Sequence, residues 1–480
     1  MTPKLNQKFA TKEMMDAVTF KVYRQSPTRW YVPRAWGLTT YGPAQNMVPD
    51  GLCTAMAFKG SPYPYQEDII NKFIDAGANG LICVPCGKGK TFMALSIAAR
   101  IGKRFVVVVD KEFLMNQWKG EMEALMPGIR IGIIQEDKKQ TGFVDEDPTV
   151  AELKGRLRAL GLAVGGKKDA LKERLLAAEP KVPVLYDCCI AMIQTIATRE
   201  FLSTDFEGFG FTIFDECHHL GAQHFSKALQ KIQTKKMLGL SATPVREDGM
   251  SKVFQWYLGE PVYWEKTREP DPTVEVKGVR IKTADTVYNT VPKDWRGETV
   301  MARLLGNVLG CDDRNKEIVR WIRKLAEPER RILVLSERIG HLNRIEELLE
   351  NCLTTSYYVG GMKESVREEG AVTAQVLLAS YAMASEAMNI KSLNTVILAS
   401  PRKHVEQSTG RILRIQVDKR VVQPMIIDII DDHSMYKGQW LKRLAYYRSC
   451  AYQIEEWDIG AESGRRLLNK KKAKDECLID

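Results

Sequence analysis

The feature that most limits this chain is a repeated alternation of short apolar runs with amphipathic stretches. From about Tyr63 it reads GLICVP, TFMALSIAARI, RFVVVVD and FLMNQWKGEMEAL in turn. A run such as RFVVVVD has no polar alternation, so both of its faces need cover, as in a parallel sheet flanked by helices. The pattern resumes with FTIFDE and KKMLGLSAT and breaks near residues 260–275, where Pro, Glu and Lys accumulate. After about Asn307 it returns as RILVLS, AQVLLAS, NTVILAS and QPMIIDII, with RIGHLNRIEELLEN as a helix between them. This predicts an α/β fold with two parallel-sheet domains in tandem, over residues 63–262 and 263–432. Residues 1–62, with the text PTRWYVPRAWGLTTYGP, show no regular period and form an accessory lobe or a packed arm; residues 433–480 form a helical and basic tail.

A chain of 480 residues that is 44% hydrophobic can fill two or three separate cores. Its formal net charge of +10 suits a nucleic-acid partner, although the 60 acidic residues are interspersed with the 70 basic ones. The start, MTPKLNQKFATKEMMDAV, has no basic-then-apolar signal pattern, and no uncharged apolar run approaches the roughly 18 residues of a membrane span. A soluble intracellular protein without a membrane partner is expected. The 10 cysteines follow no disulfide or metal-cluster spacing, and the pair Cys83 and Cys86 leads into a glycine loop without a second ligand pair. The tail stretch Arg465 to Lys474 is basic, as solvated or disordered ends are; nucleic-acid contact is the alternative reading.

The glycine loop is VPCGKGKT, Val84 to Thr91, between an apolar run and a helical stretch. Gly87 and Gly89 let the backbone turn so that N–H groups converge on phosphate oxygens; Pro85, Cys86 and Lys88 complete the cradle, Lys90 reaches the β/γ-phosphates and Thr91 holds Mg²⁺. Val84 stands where the usual pattern has its first glycine. FTIFDECHH ends an apolar run in Asp215, placed to complete the Mg²⁺ shell, and Glu216, placed to orient or deprotonate water. Cys217, His218 and His219 have no partner pair at zinc-ligand spacing. In the second domain QSTGRILR puts Gln407, Arg411 and Arg414 on one short segment, with guanidinium groups suited to neutralise charge on a γ-phosphate.

VPCGKGKT, FLMNQW, DECH, SATP and QSTGRILR stand in the order and separation of motifs I, Ia, II, III and VI of superfamily 2 helicases, which the chain resembles over roughly residues 63–432. The resemblance implies two RecA-like domains, ATP and Mg²⁺ as cofactors, and catalytic roles for Lys90, Asp215, Glu216, Arg411 and Arg414. It makes Gln66, in PYQ, the adenine reader, and Ser241 and Thr243 of SATP the relay between nucleotide and track. SATPVREDG, with Arg246, Glu247 and Asp248, is similar to the group B xeroderma pigmentosum and UvsW-like helicases. PRAWGLTTYG, CDDRNKEIVRWI, YAMASEAMNI and LASPRKHVEQSTGRILR look most like the poxvirus-type transcript-release helicases of large DNA viruses. That implies RNA polymerase or a transcription complex as a partner, and a viral factory, virion or nucleus as the location. In motif V, Ala387 and Asn389 replace the usual Gly and Asp, which leaves the cofactor contact of Asn389 without a charge.

Residues 147–180 interrupt the first domain with text of another kind, PTVAELKGRLRALGLAVGGKKDALKERLLAAE. Val150, Leu153, Leu157 and Leu160 fall at helical spacing, GLAVGG turns the chain, and Leu171 and Leu175 mark a second helix. The segment resembles a SAP motif, a small DNA-binding helical unit whose phosphate contacts here would be Lys154, Arg156, Arg158, Lys167, Lys168, Lys172 and Arg174. A helical spacer is the plainer alternative. The reading is an ATP-dependent DNA helicase or translocase. A DECH-type RNA helicase and a DNA-binding scaffold with a decayed motor compete with it, whereas a metabolic kinase leaves the second domain and its arginines without a role.

Overall fold

The computed structural model describes residues 19–45, 48–85, 87–143, 150–178, 184–246, 248–265, 269–386, 388, 390, 392–413, 415 and 417–467. Cys86, Glu247, Ala387, Asn389 and Arg414, the tail beyond residue 467, both ends of the 147–180 insert and the side chain of Lys172 lie outside this description. The chain divides into two compact units at Trp264 and Glu265, with residues 85–88 grouping with the second.

The first unit is built on an eight-stranded sheet. Its order is Pro261–Trp264, Asn79–Cys83, Lys236–Ser241, Phe211–Phe214, Phe105–Val109, Cys188–Met192, Ile131–Gln135 and Lys138–Lys139. Every pairing is parallel except the last. The FVVVV run explains why such a strand lies in the middle. Phe105, Val107 and Val109 face a core completed by the helices Pro64–Asp75, Lys90–Ile101 and Glu112–Leu125. Val106 and Val108 face the opposite core, under Ile193–Thr198, Gln223–Lys231 and Ser251–Leu258. Each such side chain contributes roughly 1.5–3 kcal/mol when taken from water, so a two-sided layer is the most stable place for the run.

The second unit repeats the plan. Its sheet runs Thr355–Tyr358, Val376–Ser380, Ile332–Ser336, Thr395–Leu398, Met425–Asp431, Glu275–Ile281, Gln453–Asp458 and Arg465–Leu467, parallel up to the last antiparallel strand. Two mixed α/β units with parallel-dominated sheets are the tandem architecture expected from the alternation. The domain limits differ in detail. Tyr263 and Trp264 pair with Ile82 and Cys83 of the first sheet. Glu275–Ile281, at the edge of what reads as a break, is an interior strand, and the sheet continues past residue 432 through Gln453–Asp458 and Arg465–Leu467. Gly278 is required there, because a Cβ would sit 2.8 Å from Trp440 Cη2.

The insert is a helical hairpin of Val150–Ala159 and Lys168–Ala178. Leu153, Leu157, Leu171 and Leu175 form its core, closed by Leu162 and Val164. Leu160, expected on the apolar face, is 40% exposed, since the helix ends one residue before it. Arg174 Nη1 donates to Ala163 O and Gly165 O and pins the turn. Residues 19–45 pack against the first unit as an arm: Phe20 and Val22 join Met250 and Val253 in a small core.

Candidate nucleotide site

The phosphate loop begins where Asn79–Cys83 ends at the sheet's carboxyl edge. Val84 N donates to Ser241 O at 3.2 Å, tying the loop to the neighbouring strand. Gly87 and Gly89 have φ of 90° and 79°, the left-handed region that an L side chain rarely adopts. At Gly89, which caps the helix Lys90–Ile101, an added Cβ would also stand 2.5 Å from Gln66 Nε2. Gln66 is buried, and its Oε1 accepts from Tyr63 N at 3.0 Å. Its carbonyl thus caps its own helix while its amide nitrogen lies against the loop. Thr91 follows Lys90 in the first turn of the helix, and Pro85 precedes the loop's glycines. Lys88 Nζ is 2.6 Å from Glu269 and 3.4 Å from Glu265.

Asp215 and Glu216 come off the end of Phe211–Phe214. Asp215 N donates to Val108 O, and Glu216 N donates to Asp215 Oδ1 at 3.0 Å. Glu216 itself has φ 41°, a conformation that costs a non-glycine residue roughly 1–3 kcal/mol and is found mostly at functional sites. Lys90 Nζ stands 3.0 Å from Glu216 Oε1. Trp118 Nε1, from the helix Glu112–Leu125, donates to Asp215 Oδ2 at 2.8 Å. Burial and the adjacent Glu216 carboxylate push Asp215 up to about 6, partly offset by Lys90. Burial opposes ionisation of Glu216 too, but the Lys90 ammonium and His218 outweigh it and hold the group well below the usual carboxylate range. Glu216 Oε2 is buried without a hydrogen-bond partner among the described residues.

These residues fit a magnesium nucleotide. A positive-φ glycine cradle opens a helix N-terminus, an ammonium stands beside it, and two carboxylates share the same edge of the sheet, one of them with an oxygen still to be satisfied.

A second layer joins this site to the SAT segment. Ser241 is buried at its strand's end; its Oγ accepts from Thr243 N at 3.1 Å and lies 3.1 Å from His218 Nδ1. His218 Nδ1 is in turn 3.4 Å from Glu216 Oε2. The imidazole therefore stands between the carboxylate and the serine, a contact that no local pattern in DECHH announced. Arg246 forks onto Asp248, with Nε to Oδ1 at 3.0 Å and Nη2 to Oδ2 at 2.5 Å, while its Nη1 donates to His218 O at 2.7 Å. A Cβ at Gly221 would be 2.5 Å from Arg246 Cδ, so that glycine makes room for the fork. Trp118 was the other residue missed: it lies in the FLMNQW stretch without a role of its own.

In the second unit Gln407 lies in the short helix Glu406–Thr409 and Arg411 in the turn of 3-10 helix that follows. Arg411 is only 9% exposed. Its Nε donates to Ala384 O at 2.7 Å and its Nη1 to Met388 O at 2.8 Å, so the guanidinium braces the backbone of the helix Tyr381–Glu386 and of Met388 beyond it.

Comparison with known proteins places these geometries in a wider set. Residues 59–246 match the family model described as "Type III restriction enzyme, res subunit". Over 438 residues the chain is 31% identical to a protein of Acanthamoeba polyphaga mimivirus, 88% of this chain against 75% of that one. Over 424 residues it is 24% identical to a protein of African swine fever virus (isolate Pig/Kenya/KEN-50/1950), 82% against 74%. Both carry the name "putative ATP-dependent RNA helicase". Among solved structures, the ATP-dependent Type ISP restriction-modification enzyme LlaBIII bound to DNA aligns with a TM-score of 0.53 at 15% identity, over 85% of this chain and 32% of that one; it shares the fold.

Proposed function

Since the chain belongs to the superfamily 2 helicases of large DNA viruses, a family in which ATP hydrolysis is expected, we propose that it is an ATP-dependent DNA helicase or translocase. The observation that carries this is the meeting of Lys90 with Glu216, beside Asp215, at the mouth of a glycine cradle. Lys90 and the backbone N–H groups of residues 87–91 hold phosphate oxygens, with Pro85 and Cys86 leading into the loop. Thr91 and Asp215 would hold Mg²⁺, which when bound would supply charge neutralisation on the transferring phosphoryl group. Glu216, released from Lys90 when phosphate takes the ammonium, orients the attacking water through its unsatisfied oxygen. Gln66 reads the base, and Gln407 and Asn389 complete the nucleotide's surroundings. Arg414 and Arg411 neutralise charge on the γ-phosphate, Arg411 by exchanging its bonds to Ala384 O and Met388 O. The relay of Glu216, His218, Ser241 and Thr243, with Arg246 and Asp248 bracing it, carries the nucleotide state to the track, and Glu247 is assigned to the same coupling.

The hairpin of residues 150–178 supports DNA as that track: Arg156, Arg158 and Lys167 are exposed on a unit with its own leucine core. As a SAP-like module, with Lys154, Lys168, Lys172 and Arg174 as its further candidate phosphate contacts, it raises the local concentration of motor on DNA. Transcript release beside RNA polymerase is the process proposed. An RNA track is the second reading, favoured by the names of the viral relatives. ATP turnover measured with duplex DNA, single-stranded DNA and RNA, followed by strand displacement, decides between them. Stimulation is expected with DNA, and Lys90→Ala is expected to lower turnover at least a hundredfold. Stimulation by RNA alone would replace the DNA reading, and turnover indifferent to every polynucleotide would defeat the motor.

A further inference from the structure

The arm of residues 19–45 is used by nothing so far. It carries Lys21, Arg24, Arg29 and Arg34 and no acidic residue, in a chain where acids and bases are otherwise mixed. Its aromatic side chains divide into two sets. Phe20 and Val22 are buried against Met250 and Val253, Tyr257 Oη donates to Val22 O, and Trp36 lies 6.4 Å from Trp256, so one set seats the arm. The other faces water: Trp30 is 61% exposed, Tyr31 54% and Tyr41 75%.

The seating is rigid. Arg24–Gln25 pairs antiparallel with Trp30–Tyr31. The turn between them is closed by Ser26 N donating to Arg29 O at 2.8 Å and Arg29 N to Ser26 Oγ at 3.0 Å. Arg24 Nε donates to Gln230 Oε1, and Arg34 Nη1 donates to Lys235 O at 2.7 Å. Tyr23 stands 4.9 Å from Trp30, with Lys21 Nζ 5.8 Å from the tyrosine ring. Two adjoining cavities of about 590 and 570 Å³ are both lined by Arg24, Arg34, Gln230 and Gln233, although Glu200 and Glu207 also line the first. Large rings held in water on the ribbon and the helix Arg34–Tyr41 forgo burial worth several kcal/mol together, and exposed rings clustered on one short arm suit a surface that a partner covers.

We infer that this arm binds a single-stranded polynucleotide, with Trp30 and Tyr41 stacking on unpaired bases and Lys21 and Arg29 meeting phosphates. Charge complementarity selects the occupant: an arm whose own residues carry four cations and no carboxylate suits a polyanion, and exposed flat rings on the same arm suit bases that are out of a duplex. Stacking and phosphate contact read no sequence and are common to DNA and RNA. The inference rests on the reading that nucleic acid is the partner, and it adds a site built from other residues than the candidate nucleotide site and the 150–178 hairpin.

The test uses the full chain, with binding of labelled dT20, rU20 and blunt duplex DNA followed by anisotropy over a range of salt. The pair Lys21→Glu with Arg29→Glu is expected to weaken single-strand binding about tenfold or more and to flatten the salt slope by roughly 1.4, two phosphates at about 0.7 each. Trp30→Ala and Tyr41→Ala are expected to weaken it about fivefold to tenfold, with Trp30→Phe restoring most of the loss. Tyr41 touches only Trp36 among the ring contacts of the arm, so its variant reads binding even if Trp30→Ala disturbs the ribbon. Relative affinities for dT20 and rU20 then show which strand the arm prefers. Unchanged affinity and slope in the charge-reversal pair would overturn the inference. So would an equal loss on blunt duplex, whose paired bases offer no face to a ring. A wild type that binds in this way but shows no polynucleotide-stimulated ATP turnover defeats the motor and leaves the arm; normal stimulation with unchanged arm variants does the reverse.

Discussion

At the scale of single residues, the site is an economy of buried charge. Asp215 is taken out of water beside another carboxylate, and what holds it there is Trp118, whose indole N–H is directed at its outer oxygen. A hydrogen bond to a buried charge is worth about 1.5–3 kcal/mol. Trp118→Phe keeps the ring and removes the donor; ATP turnover is expected to fall about tenfold and the Mg²⁺ needed for half-maximal turnover to rise, with near-ultraviolet circular dichroism unchanged. Equal Mg²⁺ dependence in variant and wild type would mean that the indole only fills space. Lys90, Asp215 and Glu216 were legible because glycine loops and acidic strand ends are local patterns. Trp118, His218 and the inward turn of Arg411 were not, because each acts on a residue from another part of the chain.

At the scale of elements, the 150–178 hairpin and the strand Glu275–Ile281 give opposite lessons. The hairpin was legible because its core is local: Leu153, Leu157, Leu171 and Leu175 meet within one short segment. Leu157→Ala removes a fully buried side chain from a core of that size and is expected to cost about 2–4 kcal/mol, enough to unfold the hairpin alone. Limited proteolysis should then cut within residues 150–178 while the rest of the chain resists; uniform resistance would show that the parent domain holds the helices. Glu275–Ile281 was hidden because its charges are answered elsewhere. Lys277 pairs with Glu455 at 3.2 Å and Arg280 with Glu456 at 2.8 Å, both on the strand Gln453–Asp458. Read alone, each of these strands looks too polar for a sheet interior; paired, each satisfies the other.

At the scale of the whole molecule, stability should depend on pH through a group that takes no part in the candidate nucleotide site. His341 is buried in the second unit, its Nε2 2.9 Å from Asn315 Oδ1 and its Nδ1 2.9 Å from Ser336 Oγ. Burial, and then the Arg314 guanidinium, push it down to about 3. Above pH 6.5 the imidazole is neutral in folded and unfolded chains alike and adds no pH dependence. Below that the unfolded chain takes up a proton that the folded one refuses, so stability falls by about 1.4 kcal/mol per pH unit, or about 2 kcal/mol by pH 5, until the folded group titrates. His341→Gln is expected to flatten the fall in urea midpoint between pH 7 and pH 5. A slope identical to wild type would place the acid sensitivity in another group.

The sequence by itself determined the two α/β units and marked a glycine loop and an acidic strand end as a candidate nucleotide site, because strand burial, helix periodicity and a glycine turn are set by near neighbours in the chain. Only the tertiary structure decided how they act together. Lys90 and Glu216 are 126 positions apart and come to 3.0 Å because Asn79–Cys83 and Phe211–Phe214 both flank Lys236–Ser241 in parallel. A parallel sheet delivers every carboxyl end to the same edge, and strand order, which no local pattern encodes, chooses which side chains share it.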